Sequence, residues 1–151
     1  MYHIAVLTSS ETQEAFYIEQ LSRFCFERGL FPKMDCYRGQ ELFFDVARIN
    51  APTCTVIALP GVAGLNAVEH LRTLFPEMRI IWCSDLDFSL HAFRLRVDYF
   101  LLEPITEEAF QQGLSTWLDG KKRLPYSERI TTNITMRRII DEKEKKDLFC
   151  I

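Results

Sequence analysis

Short apolar runs alternate with stretches of helical spacing over most of the chain. Ile4-Ala5-Val6-Leu7 is a continuous apolar run closed by Thr8-Ser9-Ser10-Glu11. That pattern suits a strand buried on both faces, followed by a hydroxyl that caps a helix. From Glu11 to Arg28, apolar positions recur at Ala15, Ile18, Leu21 and Cys25, and Gly29 stops the helix. Phe31 to Tyr37 predicts a second strand. Arg38-Gly39 opens a helix running through Ala47, and Pro52 closes that unit. Thr53 to Leu59 is β-branched and apolar, a third strand. Pro60-Gly61-Val62-Ala63-Gly64 reads as a loop, and Leu65, Val68, Leu71 and Leu74 give the helix after it. Arg79 to Cys83 predicts strand four, Ser89 to Leu95 a short helix, and Val97 to Leu102 strand five. Thr106-Glu107-Glu108 then opens a helix with Trp117 near its end.

Five strand–helix units in series predict an α/β fold, a doubly wound five-stranded parallel sheet with helices on both faces. Right-handed crossovers leave few topologies. In such a sheet a site belongs at the carboxyl ends of the strands. Those ends are Leu7 to Ser10, Val56 to Leu59, Cys83 to Asp85 and Leu102 to Pro104.

A chain of 151 residues is long enough for one domain with a real core. The expected division is a domain over 1–118 and a linker and tail over 119–151. The net charge of −3 carries no overall electrostatic footprint for nucleic acid. No apolar run reaches the ~18 residues a membrane helix needs. The five cysteines have no C-x-x-C spacing and none stands at ligand spacing to His3, His70 or His91. They read as reduced thiols of a cytoplasmic protein, with no metal and no cofactor expected.

Three segments carry a family resemblance. Pro60-Gly61-x-x-Gly64 is similar to the loop after the phosphoacceptor strand of response-regulator receiver domains. Leu90-His91-Ala92-Phe93, then Tyr99-Phe100-Leu101-Leu102-Glu103-Pro104-Ile105, resembles the end of receivers from LytTR-type two-component regulators. The resemblance covers roughly residues 1–118 and implies a flavodoxin-like sheet of order 2-1-3-4-5.

The resemblance also implies a phosphorylation site, and its positions are altered. Where receivers carry the acidic pair that holds Mg²⁺, this chain has Thr8-Ser9. The phosphoacceptor aspartate falls on Val56, or on Ala58 if the alignment slips by two, and no Asp or Glu occurs between Asn50 and Leu65. The switch hydroxyl falls on Ser84, preferred over Cys83. The lysine before the strand-five proline is Glu103, a reversal of charge. Phosphoryl transfer needs a carboxylate nucleophile, a hard cation and positive charge for the phosphoryl oxygens. All three are missing. The expectation is an atypical, phosphorylation-independent receiver-like module, not an enzyme, acting through protein contacts in signal transduction or transcription control.

Other chemistry is weaker. Glu11, Asp85, Asp87 and Glu103 would more simply form a solvated rim than a relocated cation site. Ser84, His91 and Asp87 spell a triad only on paper. The Pro60–Gly64 loop lacks the lysine of a nucleotide P-loop. The resemblance places contacts with partners on the face made by the fourth helix, the fifth strand and the fifth helix, here Phe88, Leu90, Phe93, Arg94, Arg96, Phe110, Gln111 and Trp117, which points to a homodimer or a regulatory protein partner.

Asp119 to Pro125 reads as a linker, after which Ile130, Thr132, Ile134, Met136 and Ile140 show a period of two. The end of the chain loosely resembles the opening of a LytTR output domain, but about 30 residues cannot hold one. The tail is therefore a truncated or reduced output domain or an independent dimerisation arm. The second reading of the protein is a DNA-binding regulator with that output domain reduced; DNA binding by this chain alone is not expected.

Overall fold

The structure is a computed structural model that describes residues 2–118. The tail expectations for 119–151 lie outside the described residues. Ten elements alternate: β1 (His3–Thr8), α1 (Glu11–Glu27), β2 (Lys33–Tyr37), α2 (Gln40–Ile49), β3 (Cys54–Ala58), α3 (Gly61–Leu74), β4 (Arg79–Ser84), α4 (Ser89–Arg94), β5 (Tyr99–Leu102) and α5 (Glu107–Leu118). The strands form one sheet in the order β2-β1-β3-β4-β5, every pair parallel. This is the flavodoxin-like topology expected from the sequence.

The central strands are apolar on both sides because both faces are covered. All five residues of β3 are buried. On one face Leu7, Ile57, Ile80, Trp82 and Phe100 pack with Phe43, Val68 and Leu71 from α2 and α3. On the other, Ile4, Val6, Val56 and Tyr99 pack with Tyr17, Leu21 and Phe24 of α1 and Phe110 and Leu114 of α5. Burying each such side chain contributes roughly 1.5–3 kcal/mol.

Two polar devices fix the sheet's far end. Asp98 is buried and its carboxylate accepts the Ile80 N–H at 2.7 Å. Arg72 on α3 is 6% exposed, and its guanidinium donates to the carbonyls of Phe75, Pro76, Met78, Leu95 and Arg96. One cation thereby satisfies loop carbonyls on both sides of β4.

Several boundaries differ from the periodicity; β5, for one, begins at Tyr99 and not at Val97. The helix expected to begin near Leu65 begins at Gly61, directly after Pro60. Gly61 takes φ 60°, and Asp85 accepts its N–H at 2.8 Å, so no free loop remains. β2 begins at Lys33 and not at Phe31, whose side chain stands out of the surface.

Candidate functional site

The carboxyl ends of the strands bring the expected positions together. Thr8, the last residue of β1, lies level with Ala58, the last of β3. Val56 sits one pleat repeat deeper, level with Val6 and Ile81, fully buried among α1-facing side chains. Of the two registers open in the sequence, the pairing sets Ala58 at the rim. Ser84 ends β4 beside Leu102 of β5, and its carbonyl accepts the Glu103 N–H at 2.8 Å. Thr8, Ala58, Ser84 and Glu103 thus share one edge of the sheet. Ser9 is exposed beside them.

A hydrogen-bond chain crosses this edge. The Thr8 hydroxyl is fully buried; it donates to Gln13 Oε1 at 3.0 Å and accepts the Ser10 N–H at 3.3 Å. The Gln13 amide donates from Nε2 to Glu103 Oε1 at 3.0 Å. Ser10 caps α1 by accepting the Gln13 N–H. A cleft of about 540 Å³ opens above, between α1 and the β5–α5 connection, walled by Phe16, Tyr17, Pro104 and Ile105 and edged by Asp85 and Glu103. The peptide bond between Glu103 and Pro104 is cis.

The charge of this cleft is negative or absent. Burial pushes the Tyr17 phenol far above its ordinary value, with Cys83 and Glu103 adding to the shift. Burial likewise raises the Cys83 thiol to about 12, a bond from Tyr17 working against it. Both groups are uncharged at neutral pH. Among the described residues neither Asp85 nor Glu103 forms an ion pair. Among the described residues a phosphoryl group entering here meets carboxylates and no cation of the lining, which is repulsive.

The remaining candidates are occupied elsewhere. Asp85 accepts the Gly61 N–H and Asp87 accepts the Ser89 N–H at 3.0 Å. Glu11 is exposed in the first turn of α1. Among the described residues no three His, Cys, Asp or Glu side chains gather as a metal would require. Ser84 Oγ accepts the Leu86 N–H, and His91 is exposed with its ring edge-on to Phe88, so the paper triad does not assemble.

The partner face needs correction. Phe110 is 0% exposed and Trp117 3%; both belong to the core against α1, because α5 turns its apolar stripe inward. Gln111 reaches back to Gln20 of α1. Phe88 is half-buried and stacks on Trp82 at 5.5 Å. Leu90 and Phe93 are half-buried, while Arg94 and Arg96 are exposed, Arg96 at φ 56°. Of the expected set, α4 and its flanks are what the surface offers, joined by Leu86, which is 48% exposed.

Gln13 carries no charge or reactive group that marks it in the sequence. Ser10-x-x-Gln13 has capping-box spacing, which was signal enough to place it in the first turn of α1. Its bond to Glu103 needs the fold.

No family model matches this sequence, and no curated protein does. Solved structures match clearly. A response regulator receiver protein from Pseudoalteromonas atlantica superposes at a TM-score of 0.63 with 16% identity, over 79% of this chain and 98% of that one. A response regulator receiver domain protein from Clostridium thermocellum does so at 0.62 and 15%, over 80% and 97%. The isolated receiver domain of RcsB from Salmonella enterica serovar Typhimurium, solved in the presence of a phosphomimetic, gives 0.62 and 11%, over 85% and 97%. At these identities the fold is what is shared. The chain has the fold of response-regulator receiver domains.

Proposed function

We propose that this chain is a receiver module of signal transduction that works without aspartyl phosphate. The observation that carries the reading is the Thr8–Gln13–Glu103 chain. It lines, with neutral and negative groups, the strand-end site that a phosphoryl group and Mg²⁺ would need. Ala58 offers no nucleophile at the rim, and Val56 is sealed below it. Signal output then runs through protein contact, in the cytoplasm, with no reaction catalysed. The exposed side of α4, with Leu86, Arg94 and Arg96, supports a homodimer or a regulatory protein as partner.

The test is incubation of the full chain with acetyl phosphate and Mg²⁺, followed by intact mass. The mass stays unchanged; one added phosphoryl group overturns the reading. Light scattering across a concentration series reports self-association, and Leu86→Asp with Arg94→Glu shifts it toward monomer if the α4 face is the contact.

A further inference from the structure

Two aromatic side chains stand well out of the surface. Phe26 is 71% exposed and Phe31 73%, and their rings meet edge to face at 6.2 Å. They flank a cleft of about 430 Å³ where the last turn of α1 meets the start of β2, with Cys25, Leu30 and Met34 lining it. Apolar surface of this kind is stabilised by about 25 cal/mol for each Å² removed from water. A contiguous apolar patch commonly marks a contact site.

The position of the cleft bears on which segment can reach it. It opens at the amino-terminal edge of the sheet, and α5 delivers the chain to that same edge. The Trp117 ring lies against Tyr2 at 6.4 Å, and the Arg79 guanidinium at the start of β4 donates to the Trp117 carbonyl. The Tyr2 carbonyl in turn accepts the N–H of Lys33, which stands between the lining residues Pro32 and Met34. From β4, where Arg79 holds the Trp117 carbonyl, to β2 is three strand spacings, roughly 15 Å. The eleven residues 119–129 span up to ~37 Å when extended. Beyond them Ile130, Thr132, Ile134 and Met136 recur at every second position. Extended, such a segment puts them all on one side. β2 is an outer strand, paired with β1 alone among the described residues, so an extended segment has an open edge beside the cleft.

We propose that residues 130–136 of this same chain dock beside β2 with their apolar side in the Phe26–Phe31 cleft. A short linker gives such a segment an effective concentration of roughly millimolar. A contact as weak as about 0.1 mM for the free peptide would then be about nine-tenths occupied. The docking places the tail on the α1–β2 side of the fold, away from α4. It is independent of how the strand-end site is read, and acetyl phosphate does not test it.

Hydrogen exchange on the full chain tests the docking. Amides of 130–136 exchange about tenfold more slowly than in the isolated peptide, matching that occupancy. Phe26→Ser with Phe31→Ser abolishes the slowing while β1 and β3 amides keep theirs, which shows that the fold persists. Ile134→Asp has the same effect from the other side. Peptide-like exchange at 130–136 in the unsubstituted chain overturns the proposal, and so does slowing that survives both aromatic substitutions. Slowing that appears only with a dimer mass in light scattering assigns the cleft to a second copy and overturns it equally.

Discussion

Gln13 and Glu103, separated by 90 positions in the chain, meet through a 3.0 Å hydrogen bond that ties the first turn of α1 to the end of β5. The buried Thr8 hydroxyl stands behind them and holds the Gln13 carbonyl oxygen. Removing the inner and outer members of this chain has unequal consequences. Thr8→Val strands the Ser10 N–H and Gln13 Oε1 and costs about 1–3 kcal/mol. Glu103→Gln, at the exposed rim, costs less than about 1 kcal/mol. Denaturant midpoints of the two variants decide; equal losses would show that the chain is not anchored at Thr8.

Arg72 is the most heavily used buried cation in the described fold. Arg72→Met fills the space but leaves five carbonyls without their donor. The expected loss is about 3–5 kcal/mol, enough to unfold a marginal domain. Thermal unfolding followed by circular dichroism measures it, and a wild-type midpoint would contradict the role given to Arg72.

Gly64 on α3 lies against the Leu59 carbonyl, just after β3. A Cβ there would stand 2.5 Å from the Leu59 carbonyl oxygen and 3.3 Å from Trp82 Nε1. The first contact is with backbone and cannot swing aside, so Gly64→Ala costs roughly 1–3 kcal/mol through overpacking. Trp82 emission shifts with it, since the indole N–H is buried without a hydrogen-bond partner.

The thiols respond to pH in a way that burial sets. Burial raises Cys83 to about 12 and Cys36 to about 11, and lifts Cys25 and Cys54 above the ordinary thiol range. The reactive species is the thiolate. At pH 8 iodoacetamide therefore leaves these four unmodified in the native protein and labels them after denaturation. Cys36, half-buried where the other three are buried, is the most accessible of them to the reagent. Peptide mass mapping reads the order, and fast native labelling of Cys83 would show the strand-end cleft open to its core.

Glu14 and Arg38 join α1 to the loop after β2, the Arg38 Nε and Nη2 both donating to Glu14 Oε2. The Arg38 guanidinium holds the Glu14 carboxyl below its usual value. A depressed carboxyl stabilises the fold above its unfolded value, about 4.3, and that contribution disappears as pH falls through the folded value. The difference in unfolding midpoint between wild type and Arg38→Met is thus present at pH 7 and vanishes in acid. A difference that persists unchanged to pH 2 would assign it to packing of the Arg38 stem.

The sequence by itself determined the alternation of elements and hence the parallel sheet. Runs such as Ile4–Leu7 and Thr53–Leu59 leave a strand no exposed face, and helical stripes supply the layers that cover them. It also determined what the strand ends lack, because an absent carboxylate between Asn50 and Leu65 needs no register. Only the tertiary structure decided which residue stands at the rim. Val56 and Ala58 are both apolar and both face α1, and strand pairing alone ranks their depth. The same holds for α5. Periodicity names Phe110 and Trp117 as a stripe but not which way it turns, and that is settled by where α1 and Tyr2 lie. Gln13 to Glu103, and Trp117 through Tyr2 to Lys33, are contacts between segments distant in the chain. Local composition carries no record of them, since they exist only once the crossovers have closed.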